Sequence, residues 1–129
     1  MDFLQDLPVL VLGLGDTGLA MARWCHRHGA RVQVWDSREH PPHAEALGDA
    51  GMRFSGPLDP ALLSDVKLVL KSPGLAPHDE RIAPLLNAAR ERGLAVMGEL
   101  HLFTRALAEL KAIDGYAPKI LAITGTNGK

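Results

Sequence analysis

Three glycines, Gly13, Gly15 and Gly18, stand in G-x-G-x-x-G spacing directly after the apolar run Val9-Leu10-Val11-Leu12. The chemistry of such a loop is the holding of a pyrophosphate. The first glycine permits the tight turn, the second lets backbone come close to the anion, and the third lets helix pack on strand. Unpaired N–H groups in the first helical turn, at the positive end of the dipole, favour a negative ligand. Thr17 can add a hydroxyl donor. Asp16 is out of character, because a carboxylate in an anion-binding loop repels the anion unless it points to solvent. It is expected to face outward. Asp36 lies 23 residues after Gly13, at the end of a second apolar run. An acid so placed can accept hydrogen bonds from ribose hydroxyls. Ser37 and Arg38 extend the same rim, with Arg38 either stacked on a base or solvated.

A second phosphate signature closes the sequence, Thr124-Gly125-Thr126-Asn127-Gly128-Lys129. It is not a strict Walker A motif, which would need glycine where Ile123 stands. Its glycines would bring amides onto phosphates, and Lys129 would neutralise the β- and γ-phosphates. A phosphate loop also needs a following Ser or Thr for Mg²⁺ and a helix behind it, neither of which the sequence contains. The expectation is therefore the front of a larger enzyme, able to bind a ligand and unable to turn one over.

These loops need strands and helices to aim them. Val9–Leu12 and Val32–Trp35 read as buried strands, with a helix over residues 17–28 stopped by Gly29. A proline-marked loop at 37–42 and a short helix at 43–50 follow. Residues 52–55, 66–70 and 94–97 read as further strands, the second running into Ser72-Pro73-Gly74. Ile82, Leu85, Leu86 and Ala89 mark a helix closed by Gly93. Strands alternating with helices predict an α/β fold, a Rossmann-like parallel sheet of about five strands with flanking helices. Beyond Gly98, Leu100, Phe103, Leu107 and Leu110 mark an amphipathic helix. Residues 120–123 then predict a strand feeding the second loop, held by the first unit or by a neighbouring molecule. The division expected is 1–98 for the first domain and 99–129 for the start of a second, ATP-binding one.

With 14 basic and 15 acidic residues the net charge is −1, which gives no general pull toward nucleic acid or an anionic membrane. A single cysteine, Cys25, fits a reducing cytoplasm. The first residues lack a basic, apolar leader, so neither signal peptide nor transmembrane helix is expected. The six histidines do not converge on a metal. His40 and His43, split by two prolines, read as surface loop, His101 as solvated, Cys25 as core, and Trp24 and Trp35 as packing.

The Gly-Thr-Asn-Gly-Lys string after an apolar strand resembles the ATP loop of the Mur ligase superfamily and the related folylpolyglutamate synthases. Gly13 to Gly18, Asp36-Ser37-Arg38, Ser72-Pro73-Gly74 and Gly98-Glu99-Leu100-His101-Leu102-Phe103 are similar to the D-glutamate-adding branch, the UDP-N-acetylmuramoyl-L-alanine:D-glutamate ligases. That resemblance, which covers essentially the whole chain, implies a UDP-binding site made of Gly15, Asp16, Thr17, Gly18, Asp36, Ser37, Arg38, Ser72 and Gly74. It implies an ATP site drawn from Gly125, Thr126, Asn127, Gly128 and Lys129, with ATP and Mg²⁺ serving the intact enzyme and no catalytic residue or metal ligand within this chain. It further implies that ATP converts the L-alanyl carboxylate to an acyl phosphate, which the amine of D-glutamate attacks in cell-wall synthesis. The partners would be UDP-N-acetylmuramoyl-L-alanine, D-glutamate and ATP, without nucleic acid or membrane. Two other readings stay open on the first loop: an NAD-binding oxidoreductase module and a non-catalytic nucleotide-sensing module.

Overall fold

The computed structural model describes residues 2–126. Five parallel strands, β1 (Pro8–Leu12), β2 (Arg31–Trp35), β3 (Met52–Phe54), β4 (Leu68–Lys71) and β5 (Ala95–Met97), form one sheet in the order β3-β2-β1-β4-β5. The register pairs Val9 with Val32 on one side and with Leu68 on the other. Between them run helices α1 (Asp16–Arg27), α2 (Ala44–Leu47) and α3 (Ala83–Glu91), and α4 (Glu99–Asp114) follows β5.

Alternate residues of β1 face opposite cores, as strand geometry requires. Val9 and Val11 pack with Met21, Ala22 and Cys25 of α1, Leu47 of α2 and Leu102 of α4. Leu10 and Leu12 pack with Trp35, Leu63 and the α3 residues Leu85, Leu86 and Ala89. The chain moves outward one way from β1 through β3, then returns to β4 and moves the other way. Right-handed crossovers then demand helices on opposite faces for the two directions, and α1 and α2 indeed cover one face while α3 covers the other.

Three local expectations shift. β4 begins at Leu68, not Val66, because a 3-10 helix over Pro60–Asp65, capped by the Asp59 side chain on the Ala61 amide, carries the chain into the sheet later. Val66 is still buried, packing beneath the sheet with Leu63. On α4 the covered positions are Leu102 and Ala106, with Leu107 and Leu110 half-buried, whereas Leu100 and Phe103 are exposed. Helical periodicity marked an apolar stripe but not the side that packs on the core. The strand expected at 120–123 is absent: residues 116–126 have no regular structure. Ile120, Leu121 and Ile123 are exposed, so the expected cover by the first unit is not found. A strand exists only by pairing, and among the described residues none lies beside this segment.

Cys25 is fully buried, and burial pushes its thiol up to about 12, so it is a packing residue without thiolate chemistry. Trp35 is likewise core, its indole N–H donating to the Gly56 carbonyl at 2.8 Å. No helix among the described residues is long and apolar enough to cross a membrane.

Leu70, fully buried in β4, and Leu121, 93% exposed, should respond oppositely to truncation. Urea unfolding should show Leu70→Ala losing about 2–5 kcal/mol and Leu121→Ser changing stability by less than about 0.5 kcal/mol.

Candidate nucleotide site at the sheet switch point

Because the strand order reverses between β1 and β4, the loops leaving these two strands diverge and open a crevice at their carboxyl ends. A cavity of about 380 Å³ lies there. Gly13, Gly15, Asp16 and Thr17 line it after β1, Asp36, Ser37 and Arg38 after β2, and Ser72, Pro73, Gly74 and Leu75 after β4. Nine residues read as a UDP site in the sequence are thus gathered here, eight lining the cavity and Gly18 standing behind its wall.

Gly13 has φ +95°, a conformation that suits glycine. Its N–H donates to the Trp35 carbonyl at 2.7 Å, and its own carbonyl accepts from the Ser72 hydroxyl at 3.2 Å. Gly18 sits so close that a side-chain carbon there would overlap the Gly13 carbonyl and lie 3.0 Å from Ser72 Oγ. Gly15 meets nothing within 4 Å at the same position, leaving its backbone open to the cavity. It is the N-cap of α1 and supplies no side-chain cap. The first-turn amides of α1 are therefore left for a ligand to satisfy.

Asp36 plays a different part from a free ribose acceptor. Its side chain is only 4% exposed. Oδ2 accepts from the Leu14 amide at 2.8 Å and from Arg38 Nη2 at 2.9 Å. Oδ1 accepts from the Arg38 amide and from Arg38 Nε, both at 2.8 Å. All the acceptor sites a carboxylate normally offers are engaged. Burial would push its pKa up, but the Arg38 guanidinium and the Leu14 and Arg38 amides outweigh it and hold the group at about 2. Arg38, half-exposed, is fixed by this fork with its outer face toward the rim, where it can stack on a base or meet a phosphate.

Asp16 does face outward, its side chain 97% exposed, and its Oδ1 meets His43 Nε2 at 2.6 Å. His43, read from sequence as surface loop, is therefore tied to the glycine loop. Lys71 was not singled out either. Its Nζ donates to the carbonyls of Ser72 at 3.2 Å and Leu75 at 2.6 Å, closing the turn that carries Ser72 and Gly74. A cation at a strand end just before Ser-Pro-Gly was the available signal. Gly125 and Thr126 lie in the exposed segment away from this cavity, and Asn127, Gly128 and Lys129 fall outside the described residues. No group of three or more His, Cys, Asp or Glu among the described residues could hold a metal.

Together the parallel sheet and the glycine loop at its switch point define a Rossmann-like α/β module. Residues 8–98 match the family model described as Mur ligase MurD-like, N-terminal domain, and the chain belongs to that family. It is 59% identical over 125 residues to the UDP-N-acetylmuramoylalanine–D-glutamate ligase of Ralstonia nicotianae, covering 94% of this chain and 25% of the relative. The ligase of the same name from Burkholderia mallei is 58% identical over 129 residues, with 97% and 25% covered. The chain thus spans about a quarter of the length of the curated relatives it matches. Among solved structures, a pseudomurein peptide ligase type C from Methanothermus fervidus superposes with TM-score 0.60 at 20% identity, over 71% of this chain and 19% of that one. Shikimate dehydrogenase from Aquifex aeolicus gives 0.54 at 18%, over 89% and 51%. At such identities these two likenesses speak for the fold alone.

Asp36 should make the protein acid-sensitive in a defined window. Its folded value of about 2 lies below the ordinary 3.8, so its stabilisation is complete above about pH 4 and is lost as pH falls toward about 2, roughly 2 kcal/mol in all. Asp79, held at about 2 by Arg81, titrates in the same range. Urea titrations at stepped pH should therefore show Asp36→Asn less stable than wild type at pH 7 by about 1–3 kcal/mol, with a shallower but not flat acid slope.

Proposed function

We propose that this chain is the UDP-sugar-binding part of an ATP-dependent ligase that joins D-glutamate to UDP-N-acetylmuramoyl-L-alanine in peptidoglycan synthesis in the cytoplasm. The division proposed is residues 1–98 for the UDP-binding unit and 99–129 for the beginning of the ATP-binding one. The observation that carries this reading is the cavity where an open glycine-loop helix terminus meets the Asp36-braced Arg38 and the Ser72 turn, in a chain of the MurD-like family.

In this reading the amides of Gly15, Asp16, Thr17 and Gly18 and the Thr17 hydroxyl hold the pyrophosphate. Ser37 and Arg38 take the uracil side, Asp36 sets Arg38 in place, and Ser72 and Gly74 flank the nucleotide. ATP and Mg²⁺ would serve the intact enzyme through the second loop. Its described part, Gly125 and Thr126, sits in an exposed segment lacking the strand that would aim amides at phosphates, so the described residues form no ATP cradle. An NAD-binding module would want a free carboxylate at Asp36 for the ribose diol. The four hydrogen bonds already on that carboxylate count against it.

Calorimetric titration of UDP-N-acetylmuramoyl-L-alanine and NAD side by side tests the reading. The UDP-sugar should bind and NAD should not, and tight NAD binding with no response to UDP-sugar would overturn it. Thr17→Ala should weaken UDP-sugar binding by about 1.5–3 kcal/mol, the worth of one hydrogen bond to a charged group.

A further inference from the structure

We propose that Glu80 and Arg81 read the base of the nucleotide, Glu80 accepting the N3–H of uracil and Arg81 donating to its O4. The inference rests on the UDP-sugar reading of the glycine-loop cavity and adds a base pocket to it.

A second cavity, of about 440 Å³, adjoins the first, and Ser37 lines both. Pro57, Leu58 and Pro84 give it apolar walls, and Glu80 and Arg81 are its charged side chains. Apolar walls with a few placed polar groups are the usual make-up of a small-molecule pocket. A nucleotide whose pyrophosphate lies on the glycine loop and whose base passes Ser37 enters this cavity with its flat ring against the apolar walls.

Arg81 is held in the same way as Arg38. In both Asp-x-Arg segments one carboxylate oxygen accepts from the arginine's amide and Nε, and the other accepts from Nη2. For Asp79 and Arg81 these distances are 2.9, 2.9 and 2.6 Å. The fork occupies two of the guanidinium's N–H donors and fixes the plane of the rest. The Arg81 pKa is raised first by its hydrogen bonds to Asp79 and also by the Asp36 charge, which puts the guanidinium within electrostatic reach of the first cavity. Uracil offers a donor at N3 and an acceptor at O4. A carboxylate beside a guanidinium complements that edge. Cytosine has an acceptor at N3 and an amino donor at C4, so the same pair opposes it. A site that hydrogen-bonds one edge rejects the other because its own polar groups are left unpaired.

The test is competitive calorimetry, with UDP and CDP each displacing UDP-N-acetylmuramoyl-L-alanine from the 129-residue chain. Wild type should prefer UDP by about tenfold or more, the scale of one charge-assisted hydrogen bond. Arg81→Met should weaken UDP by about tenfold and spare CDP. Arg81→Lys should not restore UDP, because an ammonium cannot make the fork that sets the donor plane. Glu80→Gln, whose amide can donate to N3 of cytosine, should bring CDP level with UDP. Circular dichroism melts check folding, and should Arg81→Met not fold, Glu80→Gln decides, since Glu80 is exposed. A wild type without preference for UDP, or variants that weaken UDP and CDP alike or not at all, overturn the base assignment while leaving UDP-sugar binding intact. Absence of wild-type binding to the UDP-sugar would instead overturn the UDP-sugar reading and the base assignment with it.

Discussion

The Asp36 carboxylate is the joint on which the site depends. A charge so deeply buried is costly unless its acceptor sites are filled. Here they are filled by groups from the two loops that must stay in register, the Leu14 amide after β1 and the Arg38 amide and guanidinium after β2. One side chain therefore spaces the glycine loop from the rim loop and points the guanidinium. Without it the glycine loop would lose its tie from Leu14 to the rim loop, and Arg38 would lose the fork that fixes it.

The rest of the site follows from where the sheet changes direction. The β1 and β4 strands lie side by side, yet their outgoing chains turn to opposite faces. Gly13 and Ser72 meet in the gap, with the serine hydroxyl on the glycine carbonyl and Gly18 pressed against both. That contact leaves no room for a side chain at Gly18, whereas Gly15 faces open space. The same loop thus contains one glycine demanded by packing and one that leaves backbone free for a ligand. Lys71, reaching back over the Ser72–Leu75 turn, braces the third wall by donating to the Ser72 and Leu75 carbonyls.

Much of this was legible in the residues. Short apolar runs ended by glycine or aspartate placed β1 and β2 and the α1 helix to within a residue or two, because buried parallel strands and helix caps have local signatures. The glycine spacing located the anion loop, and Ser72-Pro73-Gly74 marked the facing turn. Less legible was the start of β4, since Val66 is buried whether it belongs to the strand or to the preceding turn. The docking side of α4 was hidden as well. Its apolar residues spread around more than one face, and only packing in the folded chain selects Leu102 and Ala106. Residues 120–123 carry strand propensity, but propensity makes no strand without a partner to share its hydrogen bonds.

What the sequence determined by itself was the class of module and the identity of the cavity-lining residues, for both depend on local patterns of glycine, charge and apolar period. What the tertiary structure decided was the job each charge performs. Asp36 changed from a presumed ligand acceptor to a buried brace, and His43 changed from a surface residue to the partner of Asp16. Both outcomes rest on contacts between residues more than twenty positions apart, Asp36 with Leu14 and His43 with Asp16. Local pattern has no access to such distances, because they are set by how the crossovers stack loops at the end of the sheet.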